Sequence, residues 1–245
     1  MAKRSGALAA GAAALKAFFT KIGIALPLLL AYALIVTSID LFAYDRLLPN
    51  GEIPDQQDLL RVFGWLTGIV MGTEILLGPV VSAFAIYIGR ASVTGAKGSL
   101  YQAVNFALTR YSRMFLPHLA AQLSIQLGMI IIIPGVLFQL QYAFVDAVTA
   151  LEEEKHPLNR SKRLTRGRRR SLFLLFLPVL LMMQGILFLD LWAYTQSAVV
   201  FFAVKAVALA LPFVMQIGFY ILYEERTRKR KPRPKPAPTP DAQTS

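Results

Sequence analysis

Six apolar runs alternate along the chain with short polar or strongly cationic segments. They fall at about residues 22–44, 62–88, 114–133, 136–151, 172–192 and 198–223. A helix needs roughly 20 apolar residues to cross a hydrocarbon core, and only the fourth run is clearly short of that. Either its boundaries are off by a few residues, or its helix continues into Glu152, Glu153 and Glu154. The second run is longer than needed, so it must tilt, bend or protrude, and Gly78-Pro79 is the expected bend. Pro134-Gly135 reads as a minimal turn between the third and fourth runs, and 194–197 as a short turn between the fifth and sixth. The pattern predicts an all-α, polytopic integral membrane protein with six transmembrane helices and cytoplasmic amphipathic segments.

Residues 1–21 are alanine-rich and basic, with Leu8, Leu15, Phe18 and Phe19 at helical spacing, which predicts a short helix lying on the membrane surface. Lys3 and Arg4 followed by Ala31-Tyr32-Ala33 have the outline of a cleaved leader. The apolar run continues to Tyr44, however, which predicts an uncleaved first helix. A polar, slightly acidic loop at 45–61 carries Asn50-Gly51 and Pro54 as turn signals. A second amphipathic helix is expected at 100–108. The stretch 143–176 runs from apolar residues through three glutamates and a dense cationic segment back into an apolar run, and it reads as a loop held on one membrane face. The tail, 224–245, is basic and then proline-rich, and is expected to be disordered. Three parts follow: the basic segment 1–21, a helical domain at 22–223, and the tail. A basic segment leads three times into a run with an early proline (Pro27, Pro117, Pro178), but any inside-to-outside helix has that form.

Composition agrees with this plan. The 245 residues are 56% hydrophobic and 16% charged, and mean hydropathy is +0.52, far from the soluble average. Of the 26 Lys and Arg residues, all but Arg46, Arg61 and Lys205 fall in cytoplasmic segments when both ends are placed inside. That asymmetry predicts a bacterial inner-membrane protein with cytoplasmic N- and C-termini. The net charge of +12 is therefore assigned to topology and not to nucleic acid. There is no cysteine, and two histidines are too few for a histidine metal centre, so neither a metal nor a cofactor is expected.

Ionisable residues at membrane depth point to function by default. Glu74, Lys205, Asp40 and Asp190 form the expected intramembrane polar set, with Asp146 nearer the cytoplasmic face. Glu74 lies near the middle of the second run and reads either as a hydrogen-bonded buried carboxylate or as a proton or cation site. Lys205 could reach outward or pair with Asp40, Asp190 or Glu74. His118, beside Pro117, is expected near the headgroups. Gly64, Gly68 and Gly72 form a stripe at spacing four, which suits helix packing. Arg160, Lys162, Arg163, Arg166, Arg168, Arg169 and Arg170 would contact anionic lipid headgroups, each worth about 1 kcal/mol near the surface. No zinc-protease, serine-hydrolase or phosphate-loop motif is present, so no enzyme is expected.

Several short pieces carry a family resemblance: Lys97-Gly98 with Gln102-Ala103, Pro134-Gly135, residues 142–146, and above all residues 157–168, Pro-Leu-Asn-Arg-Ser-Lys-Arg-Leu-Thr-Arg-Gly-Arg. This last segment is similar to an Arg-Ser-x-x-Leu-Thr-x-Gly segment of a broad bacterial family of six-helix membrane proteins. That family includes the membrane domain attached to some glycerophosphodiester phosphodiesterases. The likeness covers roughly 95–180 in detail and implies the six-helix plan. No phosphodiesterase domain is present, so that activity is not implied. Two functions are expected: a membrane scaffold or accessory subunit contacting anionic lipids, a partner protein or another copy of itself, or a small transporter component using Glu74 and Lys205.

Overall fold

The computed structural model describes residues 6–47 and 56–228, through the backbone alone at 46–47, 56–63, 65–67, 70, 183–184, 186–188 and 190–191. The described residues form nine helices: α1 (Ala7–Thr20), α2 (Ile22–Leu47), α3 (Gln56–Thr94), α4 (Leu100–Met129), α5 (Ile133–Tyr142), α6 (Val145–Leu151), α7 (Pro157–Thr165), α8 (Arg169–Gln196) and α9 (Ala198–Arg228). Three windows, Ile22–Asp45, Met71–Thr94 and Ala198–Arg228, are long and apolar enough to cross a membrane, the mark of a multi-pass membrane protein. Leu8, Leu34, Phe42, Leu116, Leu127 and Val207 are each more than half exposed. A soluble monomer rarely shows so much apolar surface.

α9 is the hub, packing against α1, α2, α3 and α8. Its Phe213, Ile217, Phe219 and Leu222 are fully buried, together with Met114, Phe144, Leu164 and Leu172 from the elements around it. The Phe144 ring meets Tyr223 edge-on, with centroids 5.9 Å apart.

α1 departs from its sequence pattern. Ala7, Ala10, Ala14 and Ala17 are its buried stripe, with Phe18, whereas Leu8, Leu15 and Phe19 point outward. Small side chains let helix backbones approach closely, and the alanine face packs on α9, α8 and α3. Lys21 fixes the end of the helix by donating to the carbonyls of Ala96 and Lys97, each at 2.7 Å.

The amphipathic segment 100–108 and the third apolar run are one helix, α4, capped by Ser99, whose hydroxyl accepts from the Gln102 N–H at 3.2 Å. The fourth run is not one helix. It breaks between Tyr142 and Val145 because Ser161 of α7 inserts at the junction. The Ser161 hydroxyl donates to the Gln141 carbonyl at 2.8 Å and accepts from the Phe144 N–H at 3.2 Å. The expected turn also shifts: Pro134 lies in the first turn of α5, and the chain reverses at 130–132. There the Ile133 N–H bonds to the Ile131 carbonyl across Ile132 at φ 47° and ψ −62°. This is the strained form of the γ-turn, costing on the order of 1–3 kcal/mol.

At the other end α9 runs on to Arg228, so residues 224–228 of the expected disordered tail are helical. Arg168 pairs with Glu225 at 2.7 Å and Arg228 with Glu224 at 2.8 Å. Residues 229–245 lie outside the described residues, as do Asn50-Gly51 and Pro54 of the acidic loop.

Candidate functional site

Four helices bring polar side chains together inside the bundle. α3 contributes Glu74, Gly78 and Ser82 at a spacing of four, so they share one face. α4 contributes His118 and Gln122 at the same spacing, α2 contributes Tyr32, and α6 contributes Asp146. His118 is 3% exposed, and its Nδ1 lies 3.0 Å from both carboxylate oxygens of Asp146. Ser82 is buried on the same face of α3. A Cβ at Gly78 would sit 2.4 Å from His118 Nε2, so the absence of a side chain there makes room for the imidazole.

Glu74 joins this group from one side. The Tyr32 hydroxyl donates to its Oε2 at 3.3 Å, and the Gln122 amide to its Oε1 at 3.5 Å. On the other side lies a cavity of ≈ 30 Å³, lined by His118, Gln122, Gln139, Tyr142, Asp146 and Gln216 among others. That space and its polar walls suit about one water molecule. The His118–Asp146 pair thus borders room for a small polar guest, with Glu74 on the same face of α3 as Gly78, an arrangement that can hold and pass protons. Among the described residues no three His, Cys, Asp or Glu side chains converge to hold a metal ion.

Asp40 and Lys205 form a separate centre. Their charged atoms are 2.7 Å apart, with side chains 2% and 11% exposed. The Lys205 ammonium also lies 5.2 Å from the Phe201 ring centroid. Above the pair, Tyr44 stacks on Tyr194 at 4.8 Å, and the Tyr194 hydroxyl donates to Asp45 at 2.9 Å. Among the described side chains, Asp40 is the carboxylate that Lys205 meets. Asp190 belongs to α8, with its side chain outside the described residues.

The cationic segment divides in two. Arg160 is bound to both oxygens of Glu152, at 2.8 and 3.3 Å, and the Tyr223 hydroxyl donates to the same carboxylate at 2.9 Å. Hydrogen bonding to Glu152 raises the Arg160 guanidinium above its already high range. Arg168 is buried against Glu225. By contrast Arg163, Arg166, Arg169 and Arg170 face outward, and Lys162 is half-buried over the Tyr142 ring at 5.2 Å. Arg110 and Arg113 do structural work that their charge alone did not announce. They donate to the Ala150 and Thr149 carbonyls, capping the C-terminus of the seven-residue α6.

Among the described residues the glycine stripe is open. No described atom lies within 4 Å of a Cβ built at Gly64, Gly68 or Gly72. The sequence reading missed the His118–Asp146 pair, because it placed His118 at the headgroups. The spacing of four shared by Glu74, Gly78 and Ser82 and by His118 and Gln122 was the available signal. The chain matches no protein-family model, no curated protein and no solved structure.

Proposed function

We propose that this chain is a non-enzymatic protein of a bacterial inner membrane, with both termini in the cytoplasm and all six apolar runs within the bilayer. It acts as a scaffold or accessory subunit whose cytoplasmic face engages anionic lipid. The observation that carries this reading is the sorting of the arginines. Arg160 and Arg168 are paired with Glu152 and Glu225, while Arg166, Arg169 and Arg170 face outward around the start of α8, as does Arg163, whose guanidinium lies 4.0 Å from Glu154. Each outward charge near an anionic surface contributes about 1 kcal/mol. The resemblance of residues 157–168 to a six-helix bacterial family is part of the same proposal. In nanodiscs, anionic lipid should raise the Tm of the wild-type protein above its value in zwitterionic lipid. Changing the four outward arginines to Gln should remove most of that difference, and an unchanged difference would sink the lipid reading.

A second reading, a small transporter component, is favoured by the cavity beside His118 and Asp146. With Lys205 paired to Asp40, its path would run through Glu74, His118 and Asp146 instead. Proton or cation flux into proteoliposomes that disappears in Glu74→Gln would support this reading, and flux at the level of empty vesicles would end it.

A further inference from the structure

The α4–α5 hairpin is the feature that the six-crossing plan does not absorb. From Gly128 to Phe138 every side chain is apolar. The turn carries four consecutive isoleucines, Ile130, Ile131, Ile132 and Ile133, at 79%, 71%, 68% and 72% exposure. The junction of α8 and α9 is different in kind, reading Tyr194, Thr195, Gln196 and Ser197. An aqueous turn has no use for four exposed isoleucines, and hydrocarbon has no use for the polar junction.

Four N–H groups of the turn are bonded internally, the direction of the demand that hydrocarbon makes. The N–H groups of Ile131, Ile132 and Val136 bond to the carbonyls of Gly128, Met129 and Ile132, at 3.2, 3.0 and 3.0 Å. Ile133 bonds back to Ile131, and Pro134 has no N–H to place. The two arms are pressed together, since a Cβ at Gly135 would lie 2.6 Å from the Met129 nitrogen and one at Gly128 would lie 2.8 Å from the Gly135 nitrogen. The tip is narrow and self-contained.

Depth can be read by residue count. Tyr32 and Gln122 both bond to Glu74, so they mark one level on α2 and α4. From Gln122 to Ile131 is about 14 Å at 1.5 Å per residue, while from Tyr32 to Asp45 is about 20 Å. The tip therefore stops roughly one helical turn short of the layer where Asp45 meets Tyr194. At its other end the hairpin is tied to the cationic side by Arg110 and Arg113.

We propose that the α4–α5 hairpin is re-entrant: its isoleucine tip sits among the acyl chains of the distal leaflet and does not emerge into water. The chain then crosses the membrane fully four times, with α2, α3, α8 and α9. The hairpin enters and leaves on the side of the cationic segment. This rests on the multi-pass reading and revises its third and fourth runs.

The chain has no cysteine, so single-cysteine variants report cleanly. Lys155→Cys, Ser197→Cys and Ile131→Cys would each be treated with a membrane-impermeant maleimide in right-side-out and inside-out vesicles. Lys155→Cys should label from one side and Ser197→Cys from the other, while Ile131→Cys should label from neither until the membrane is dissolved in SDS. Ile131→Cys labelling from the Ser197 side would overturn the proposal. Lys155→Cys and Ser197→Cys labelling from the same side would instead overturn the multi-pass topology on which it rests. Purified Ile131→Trp, with Trp65 and Trp192 changed to Phe, then identifies what covers the tip. In nanodiscs of lipid brominated on the acyl chains its fluorescence should fall at least twofold. Unquenched emission would mean a second copy or another protein covers the tip, and would defeat the proposal.

Discussion

Asp40 and Lys205 set a buried anion against a buried cation, 2.7 Å apart, with side chains 2% and 11% exposed beside an aromatic wall. Glu74, His118 and Asp146 are arranged otherwise. Asp146 pairs with the imidazole, Glu74 is held by hydrogen bonds that are long at 3.3 and 3.5 Å, and a cavity opens beside the ion pair. Both lie within apolar helices where ionisable groups are costly. In the first centre the described charges are paired, and the pair holds α2 against α9. The second has a surplus acid and a space for a guest, so it is the place where a change of protonation would be felt.

The sharpest way to break this contrast is at Lys205. Lys205→Ala would leave the Asp40 carboxylate buried without its counter-charge, a loss of about 3–5 kcal/mol, read as a large fall in Tm in detergent. The double variant Asp40→Leu, Lys205→Met should recover most of it, because a matched apolar pair replaces a matched charged one. A small effect of Lys205→Ala would mean that the pair is not the clamp that its geometry suggests.

Next in size is Gly78→Ala. Its Cβ would fall 2.4 Å from His118 Nε2 and 2.9 Å from Cε1, forcing the ring away from Asp146 at a cost of about 1–3 kcal/mol. Adding His118→Ala removes the clash, so the double variant should lose less than the sum of the singles. Additive losses in a thermal-shift cycle would show that Gly78 does not seat the imidazole.

Residues act in this second centre through partners that are distant in sequence, which explains what could and could not be read from the chain. Apolar runs of helical length marked out the long helices, and the isolated Glu74 was conspicuous in its apolar run. The Asp40–Lys205 pairing was one option among three until the fold placed α9 beside α2. His118 was misplaced because its partner Asp146 belongs to α6, a helix whose start depends on Ser161 some 15 residues further on. A hydroxyl that breaks a helix from a neighbouring element leaves no local signal in the run that it breaks. The alanine face of α1 was misread for a related reason. The pattern highlighted Leu8 and Phe19, while close packing selected the smallest side chains.

Ser161→Ala tests that dependence. It removes the donor to Gln141 and leaves the buried Phe144 N–H unbonded, at a cost of about 1–3 kcal/mol, in the lower part of the range expected for Gly78→Ala. α6 would then be free to straighten onto α5, carrying Asp146 out of line with His118. A crystal or cryo-electron microscopy structure of the variant with the α5–α6 break intact would show that something other than Ser161 imposes it.

Glu74→Gln should have the smallest effect on stability, and for that reason it is the most informative about function. The amide is nearly isosteric, can still accept from Tyr32, and can still bond to Gln122, while the surplus negative charge is gone. Because the long hydrogen bonds contribute little and the carboxylate is costly at this depth, the net change should stay within about 1 kcal/mol, with stabilisation an acceptable sign. A loss approaching that of Lys205→Ala would make Glu74 a structural clamp of the same kind, and the contrast between the two centres would collapse. A stable Glu74→Gln protein is what allows a flux measurement to be read as chemistry and not as unfolding. The surplus acid can then be tested for proton or cation handling with the fold held constant.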